Sequence, residues 1–368
     1  MSTKPLSASQ LELAATCPGS QSHEHVETTN EAAERGTAVH DYIGSLLEGE
    51  KPTLPKDEKA AALCAMIDTS ELARVTRPAP EANLYTEQAL YLMPASGEAA
   101  TLDGAYHRDY SGAPEGALVG TADVIAIEDD SVTVVDWKTG RSEVPHPAEN
   151  YQLRFLGLAA ARSFGKDRAN VTLCYIRADG SLQERSYSME AEELNEVEGE
   201  LRRIAKSVEV ARNGDPVYKP GSVCRYCPAI ASCPAIAGAA QAILEGPAGE
   251  LTPAKAAESW NQLQAVEAAA KRARESLQEY VYGRPIPTTE GKQLKVVETR
   301  RENIDSSKAF AILRDRLPDE ALAEAVSVTK TSLSGALSKE AQKQLIAEFK
   351  EAGAVEESYS ESLREVRG

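Results

Sequence analysis

Residues 117–140 read ALVGTADVIAIEDDSVTVVDWKTG, and this stretch decides the fold. Two apolar runs, 117–127 and 131–138, flank the polar turn Glu128-Asp129-Asp130, which predicts a β-hairpin. The second run ends in an acid and a base, Asp136 and Lys138. Side chains two apart on a strand project from the same face. Asp123, on the preceding run, is the next acid across the hairpin. Two carboxylates on adjacent strands suit Mg²⁺ or Mn²⁺, which take oxygen ligands. Such an ion stabilises charge at a phosphodiester and lowers the pKa of its water. A lysine beside it can position or deprotonate that water, or offset charge on the phosphate. An acid-x-lysine pair is short, and alone it reads as a surface ion pair. Here VTVVD is too apolar for an edge ornament, and Asp123 falls where a metal partner is needed.

Elements on either side of the hairpin supply further candidates. Residues 31–49 predict a helix with Val39, Ile43, Leu46 and Leu47 on one face. His40 shares a face with Ile43 and Leu47, so it points inward, and neutral imidazole suits a metal. Residues 84–93 predict a strand that carries Glu87. Residues 147–164 predict a helix that carries Tyr151 and Gln152. A glutamine there could bond a nucleotide phosphate or orient the lysine; capping the helix is its plain structural role. Further helices are expected at 7–16, 57–75, 190–212 and 252–283, and strands at 169–177, 182–188 and 293–299. Two or three helices fill 305–352.

Composition bounds the class. The chain has 368 residues, 42% hydrophobic and 26% charged, enough for two or three domains. It contains no apolar run of the ~18 residues that a membrane span needs. The first residues, MSTKPLSASQLELAATC, lack a signal-peptide core, so a cytoplasmic location with reduced thiols is expected. Net charge is −17. Residues 1–240 hold 22 Lys and Arg against 36 Asp and Glu, and residues 241–368 hold 18 against 21. That acidity counts against a non-specific nucleic-acid coat, which would be basic. It leaves open an enzyme that holds metal ions and touches DNA locally. Three basic clusters are candidate phosphate contacts: Arg202, Arg203 and Lys206; Lys271, Arg272 and Arg274; and Lys292, Lys295, Arg300 and Arg301. For each alone, an ordinary solvated face is the simpler reading.

Of six cysteines, Cys224, Cys227 and Cys233 lie in CRYCPAIASC, and Cys17 stands far upstream. In a reduced compartment this spacing suggests metal or cluster ligation before disulfides. Four thiolates suit zinc or an iron–sulfur cluster. Cys64 and Cys174 lie in apolar contexts and read as core.

Together, GTADVI, VVDWKTG, the YQL of the following helix and the upstream RGTAVH resemble the PD-(D/E)XK nucleases of the RecB/AddB type. The resemblance implies an α/β, restriction-endonuclease-like core: a mixed sheet flanked by helices, with a mostly helical C-terminal region. It implies that His40, Asp123, Asp136 and the Trp137 carbonyl bind Mg²⁺ or Mn²⁺, with Lys138 as catalytic lysine and Gln152 as motif glutamine. Glu87 matches an acidic strand residue often found before this hairpin. The family often has Glu where Asp136 stands, and a Tyr where Leu156 stands; Tyr151 is the nearest tyrosine. One early and three late cysteines resemble the iron–sulfur staple of AddB-type nucleases, which implies a [4Fe–4S] cluster on Cys17, Cys224, Cys227 and Cys233, with Zn²⁺ as the alternative. The order of elements through the tail resembles an uncharacterised phage and prophage RecB-like family.

The expectation is a nuclease domain at 1–240, closed by the staple, and a mainly helical domain at 250–368. It is a Mg²⁺- or Mn²⁺-dependent deoxyribonuclease, expected to be an exonuclease in phage recombination, replication or repair within a bacterial host. DNA is the expected partner, with a phage single-strand annealing protein beside it and room for a homo-oligomer. The competing expectation is a non-catalytic DNA-processing or recombination partner that keeps the fold.

Overall fold

In the computed structural model, the described residues are 4–23, 31–77, 81–102, 109–139, 144–177, 179–246, 250–288, 292–297 and 339–351, with positions 313, 314, 316, 318 and 322. The chain divides into two compact units, Met1–Lys295 and Val296–Gly368. In the second, α9 spans Lys339–Glu351.

The expected hairpin forms. Strand β4, Leu118–Ile127, pairs antiparallel with β5, Ser131–Lys138. Both strands are apolar on both faces, which fits central strands rather than edges. Strand β2, Asn83–Leu92, lies on the far side of β4, and the short β3, Ala99–Thr101, borders it. On the other side, β5 pairs parallel with β6, Arg168–Ile176, and β6 pairs antiparallel with the edge strand β7, Leu182–Met189. Near the N-terminus β1, Leu6–Ser7, pairs parallel with β4. The sheet is mixed, in the order β3-β2-β4-β5-β6-β7.

Helices cover both faces. On one face lie α2, Glu31–Leu47, α3, Glu58–Met66, and α4, Thr69–Thr76. Val39, Ile43, Leu72 and Val75 there meet Val124, Val135 and Trp137 of the sheet. On the other face lie α1, Leu11–Thr16, α5, Tyr151–Ser163, and α6, Ala191–Arg212. Leu153, Phe155 and Leu156 of α5 pack with Val132, Val134 and Leu173. Fully burying each large apolar side chain contributes ~1.5–3 kcal/mol. Cys64 and Cys174 are buried in the first of these cores, and burial pushes their thiols up to about 11 and about 12.

Four elements differ from expectation. The helix expected over 7–16 covers only Leu11–Thr16, because Ser7 pairs in β1 and Ala8–Gln10 form a 3-10 turn. The helix expected over 57–75 breaks at Ile67, because Asp68 accepts bonds from the Ser70 amide and hydroxyl and starts a new helix. The helix expected from 147 begins at Tyr151, where the Asn150 carboxamide accepts from the Leu153 amide. The strand expected over 293–299 is, among the described residues, only β9, Gln293–Leu294, paired with β8, Ile286–Pro287. A two-stranded ribbon with little to pack against stays short. Beyond α6 the chain forms α7, Pro234–Glu245, and the long α8, Pro253–Val281, capped by the Thr252 hydroxyl.

Two glycines allow α5 to sit close on the sheet. A Cβ at Gly157 would come within 2.7 Å of both Val171 and Met189, and one at Gly120 within 2.7 Å of Ala8 and 2.9 Å of Phe155. Gly157→Ala is expected to cost ~1–3 kcal/mol by overpacking, despite alanine's better helix propensity. Urea unfolding checks this; an unchanged or raised midpoint would mean the helix can lift without loss.

Candidate active site

Asp136 and Lys138 lie at the C-terminal end of β5, where the β4–β5 ladder has ended at Val124 and Val135. The sheet parts there, and both acids of the hairpin are held inside: Asp123 is 8% exposed and Asp136 4%. The Asp123 carboxylate accepts a 2.7 Å bond from the Trp137 amide. That bond ties the two strands where backbone pairing stops.

The break in alternation lies on β2 and β4 together. On β2, Leu84 packs on the α2 side while Leu90 and Leu92 pack on the α5 side. On β4, Ala122 faces the α5 side and Val124 the α2 side. All these residues are even-numbered, so a regular strand would keep them on one face. The switch falls at Glu87 and Asp123, which would face each other in the register but drop out of the ladder. Glu87 also adopts a φ of 45°, in the left-handed region that non-glycine residues seldom enter. The distortion lets two opposed acids share one space.

His40 enters from α2. Its Nδ1 lies 3.3 Å from Asp123 Oδ1. One ligand atom each from His40, Glu87 and Asp123 lies within 4.8 Å of the other two. Asp136 is held separately: Lys138 Nζ lies 2.6 Å from its Oδ2, and the Gln152 amide donates to its Oδ1 at 2.9 Å. Gln152 therefore holds the acid; capping of α5 belongs to Asn150. Trp137 itself is buried in the α2-side core. Tyr151 packs at the edge of the α5-side core with the Arg154 guanidinium over its ring, and Leu156 is fully buried.

The charges do not balance. Burial pushes the Asp136 carboxyl up, Asp123 adds to this, and Lys138 and His40 only partly offset it. Burial also works against ionisation of Asp123, but His40, the Trp137 amide and Lys138 together hold it below its ordinary value. For His40, burial favours the neutral ring, yet the Asp123 charge and hydrogen bond, with Asp136 and Glu87, raise its pKa. Three carboxylates converge on one imidazole and one ammonium. A divalent cation relieves that excess, and the hard oxygen donors with one imidazole fit Mg²⁺ or Mn²⁺.

Four residues of the basic clusters read from sequence approach acidic groups. Arg202 bonds Glu198 and the Pro94 carbonyl, Lys206 pairs with Glu209, and Lys271 and Arg272 approach Glu275. Lys292 and Lys295 are exposed, and Arg300 and Arg301 lie outside the described residues. Sequence reading did not single out Tyr175, Arg177 and Arg185, whose grouping depends on strand register.

The cysteines gather away from the acids. Cys17, Cys224, Cys227 and Cys233 line one pocket with Leu13, Val223 and Ile230. Each cysteine sits at or in a tight turn: Cys17 ends α1, Cys224 and Cys227 lie in and after the turn Ser222–Tyr226, and Cys233 caps α7. The Lys219 amide donates to Cys17 Sγ at 3.3 Å, and the Gly221 amide to Cys224 Sγ at 3.4 Å. Burial pushes the Cys227 thiol up to about 11, and the other three sulfurs add to this. The two chain segments are also tied by the Gly19 amide on the Val217 carbonyl, at 2.9 Å.

Neutralising Asp136 should stabilise the metal-free protein. An acid with a raised pKa is less stable ionised in the fold than in the unfolded chain, so at neutral pH its charge works against folding. Asp136→Asn is expected to raise the melting midpoint in EDTA, by ~1 kcal/mol of stability, and to shrink the rise that Mg²⁺ gives the parent. Calorimetry with and without Mg²⁺ decides it; a lower midpoint in EDTA would show that the Lys138 pair outweighs the burial.

Comparison with known proteins gives a family. Residues 5–234 match the model of the PD-(D/E)XK nuclease superfamily. No curated protein matches the chain. Among solved structures, the alkaline exonuclease LHK-Exo from Laribacter hongkongensis is similar at 10% identity, a TM-score of 0.27, 58% of this chain and 91% of that one. The protein SSO0001 is similar at 16% identity, a TM-score of 0.27, 61% of this chain and 94% of that one.

Proposed function

The chain belongs to the PD-(D/E)XK nuclease superfamily, and from that premise we propose that it is a Mg²⁺- or Mn²⁺-dependent deoxyribonuclease that acts from DNA ends. The observation that carries this reading is the convergence of Glu87, Asp123 and His40, with Asp136 and Lys138 on the adjoining strand. A non-catalytic relative would have no use for buried like charges that cost stability.

In this reading Asp123, Asp136, His40 and the Trp137 carbonyl hold the ion, and Glu87 joins them. The bound ion supplies charge stabilisation at the phosphate and a more acidic water. Lys138 places the attacking water and offsets the charge that builds on the phosphate as one P–O bond forms and another breaks. Gln152 fixes the Asp136 carboxylate, so that its second oxygen stays directed at the site. Leu156 offers no hydroxyl to substrate, and Tyr151 is engaged with Arg154 instead.

The cysteine pocket is assigned a [4Fe–4S] cluster. Four thiols, apolar walls and amide donors to sulfur suit it. A tetrahedral zinc would draw its sulfurs to ~3.8 Å apart, given ~2.3 Å bonds. Among the described residues, the cysteines form no group of three as close as the His40 set, whose ligand atoms lie within 4.8 Å. The cluster is structural, tying residue 17 to residues 224–233 and closing a nuclease domain over 1–240. A setting in phage recombination, beside an annealing protein, follows from the resemblance of motif order.

Two measurements test the reading. End-labelled single- and double-stranded DNA should be shortened by the parent with Mg²⁺ or Mn²⁺, and Asp136→Ala and Lys138→Ala should each lose at least ~100-fold in rate. No cleavage by iron-loaded parent would leave a non-catalytic DNA-processing partner as the better account. Iron content should fall in Cys227→Ser, along with the melting midpoint; zinc at one per chain in anaerobically purified parent would replace the cluster with a zinc site.

A further inference from the structure

We propose that Arg177 and Arg185, stacked on the buried ring of Tyr175, form a phosphate-binding platform that holds the substrate strand beside the acids. This inference rests on the nuclease reading and deepens it.

The register places the group. Asp136 lies opposite Leu173 on β6, and Leu173 opposite Arg185 on β7; Lys138 lies opposite Tyr175, and Tyr175 opposite Gln183. Directly opposed residues share a face of the sheet. Arg185 and Gln183 therefore project on the same side as Asp136 and Lys138, two strands away, or ~10 Å at the usual strand spacing. That distance suits phosphates adjoining the one at the acids.

The arginines are held in place. The Arg177 and Arg185 guanidinium carbons lie 4.9 and 5.8 Å from the Tyr175 ring centroid. Tyr175 itself is 2% exposed, and its hydroxyl accepts from the Val144 amide at 3.1 Å. Arg177 also donates to the Gln183 carboxamide. Both arginines are only half-buried. A guanidinium fixed against an aromatic ring is preorganised and loses little freedom on binding a phosphate. The bonds from the Ser181 hydroxyl and amide hold the Asp179 carboxyl below its ordinary value, and the nearby Arg177 adds a little to this. Glu184, the acid between the two strand positions, faces the opposite side and pairs with Arg74.

Charge argues the same way. The chain carries −17 overall and must hold a polyanion through local positive groups. On α6 and α8, Arg202, Lys206, Lys271 and Arg272 approach glutamates. The Tyr175 platform offers two arginines on the face that carries the acids.

The test uses full-length protein with its cluster intact. Affinity for a short DNA of fixed sequence is measured against salt concentration with Ca²⁺ replacing Mg²⁺, for the parent, Arg185→Gln and Arg177→Gln/Arg185→Gln. Each lost phosphate contact should reduce the salt slope by ~0.7–0.9. Affinity should drop several-fold and alike for unrelated sequences, Arg185→Lys should restore part of it, and in Mg²⁺ KM should rise more than kcat falls. A double variant with the parent's slope would overturn the inference, as would a fall in kcat alone. Failure of the parent to cleave in Mg²⁺ would sink the nuclease reading by itself, while the salt slope would still judge the platform.

Discussion

The burial of Asp123 and Asp136 side by side, at the point where β4 and β5 part, is the constraint on which the rest depends. Two carboxylates in a dry space repel and resist ionisation. The fold tolerates them because each is held by a specific donor: the Trp137 amide for Asp123, the Gln152 amide and Lys138 for Asp136. Those donors come from β5, α5 and the strand end itself. The sheet, and the helices packed on both its faces, serve to fix them.

The same constraint explains the irregular backbone. A regular β2–β4 ladder would direct Glu87 and Asp123 by alternation alone, and their neighbours on both sides could not all keep their cores. Switching faces at these two residues packs Leu84 against one core and buries Leu90 in the other, and it frees Glu87 for the shared space. The positive φ of Glu87 is the local cost. Strain, unbalanced charge and a raised carboxyl pKa coincide at one place, where a cation would relieve the charge.

Much of this was legible in the sequence, for reasons that differ by element. The β4–β5 hairpin was readable because both its apolar runs and its acidic turn are local. Helix α2 was readable from the spacing of Val39, Ile43 and Leu47, which turns His40 inward. The break at Asp68 was not, because an aspartate inside an apolar pattern signals a cap only once its carboxylate is seen to accept from Ser70. The two-residue β1 pairing with β4 carries too little pattern to detect. Glu87 was visible as an acid on a strand, but its place opposite Asp123 needs the register. Tyr175 and the two arginines needed two registers at once, those of β5 with β6 and β6 with β7. The cysteines announced a ligand set, whereas the meeting of residue 17 with residues 224–233 depends on the Gly19–Val217 contact, where a Cβ would lie 2.8 Å from the carbonyl oxygen.

The most direct measurement is anomalous diffraction from crystals of the full chain soaked in Mn²⁺. The account predicts a manganese peak in contact with the Asp123 and Asp136 carboxylates and within reach of His40 and Glu87, with the Lys138 ammonium displaced from Asp136 toward the solvent side. No peak at saturating Mn²⁺, or a peak elsewhere with Lys138 still on Asp136, would contradict the claim that these buried charges exist to hold a catalytic ion.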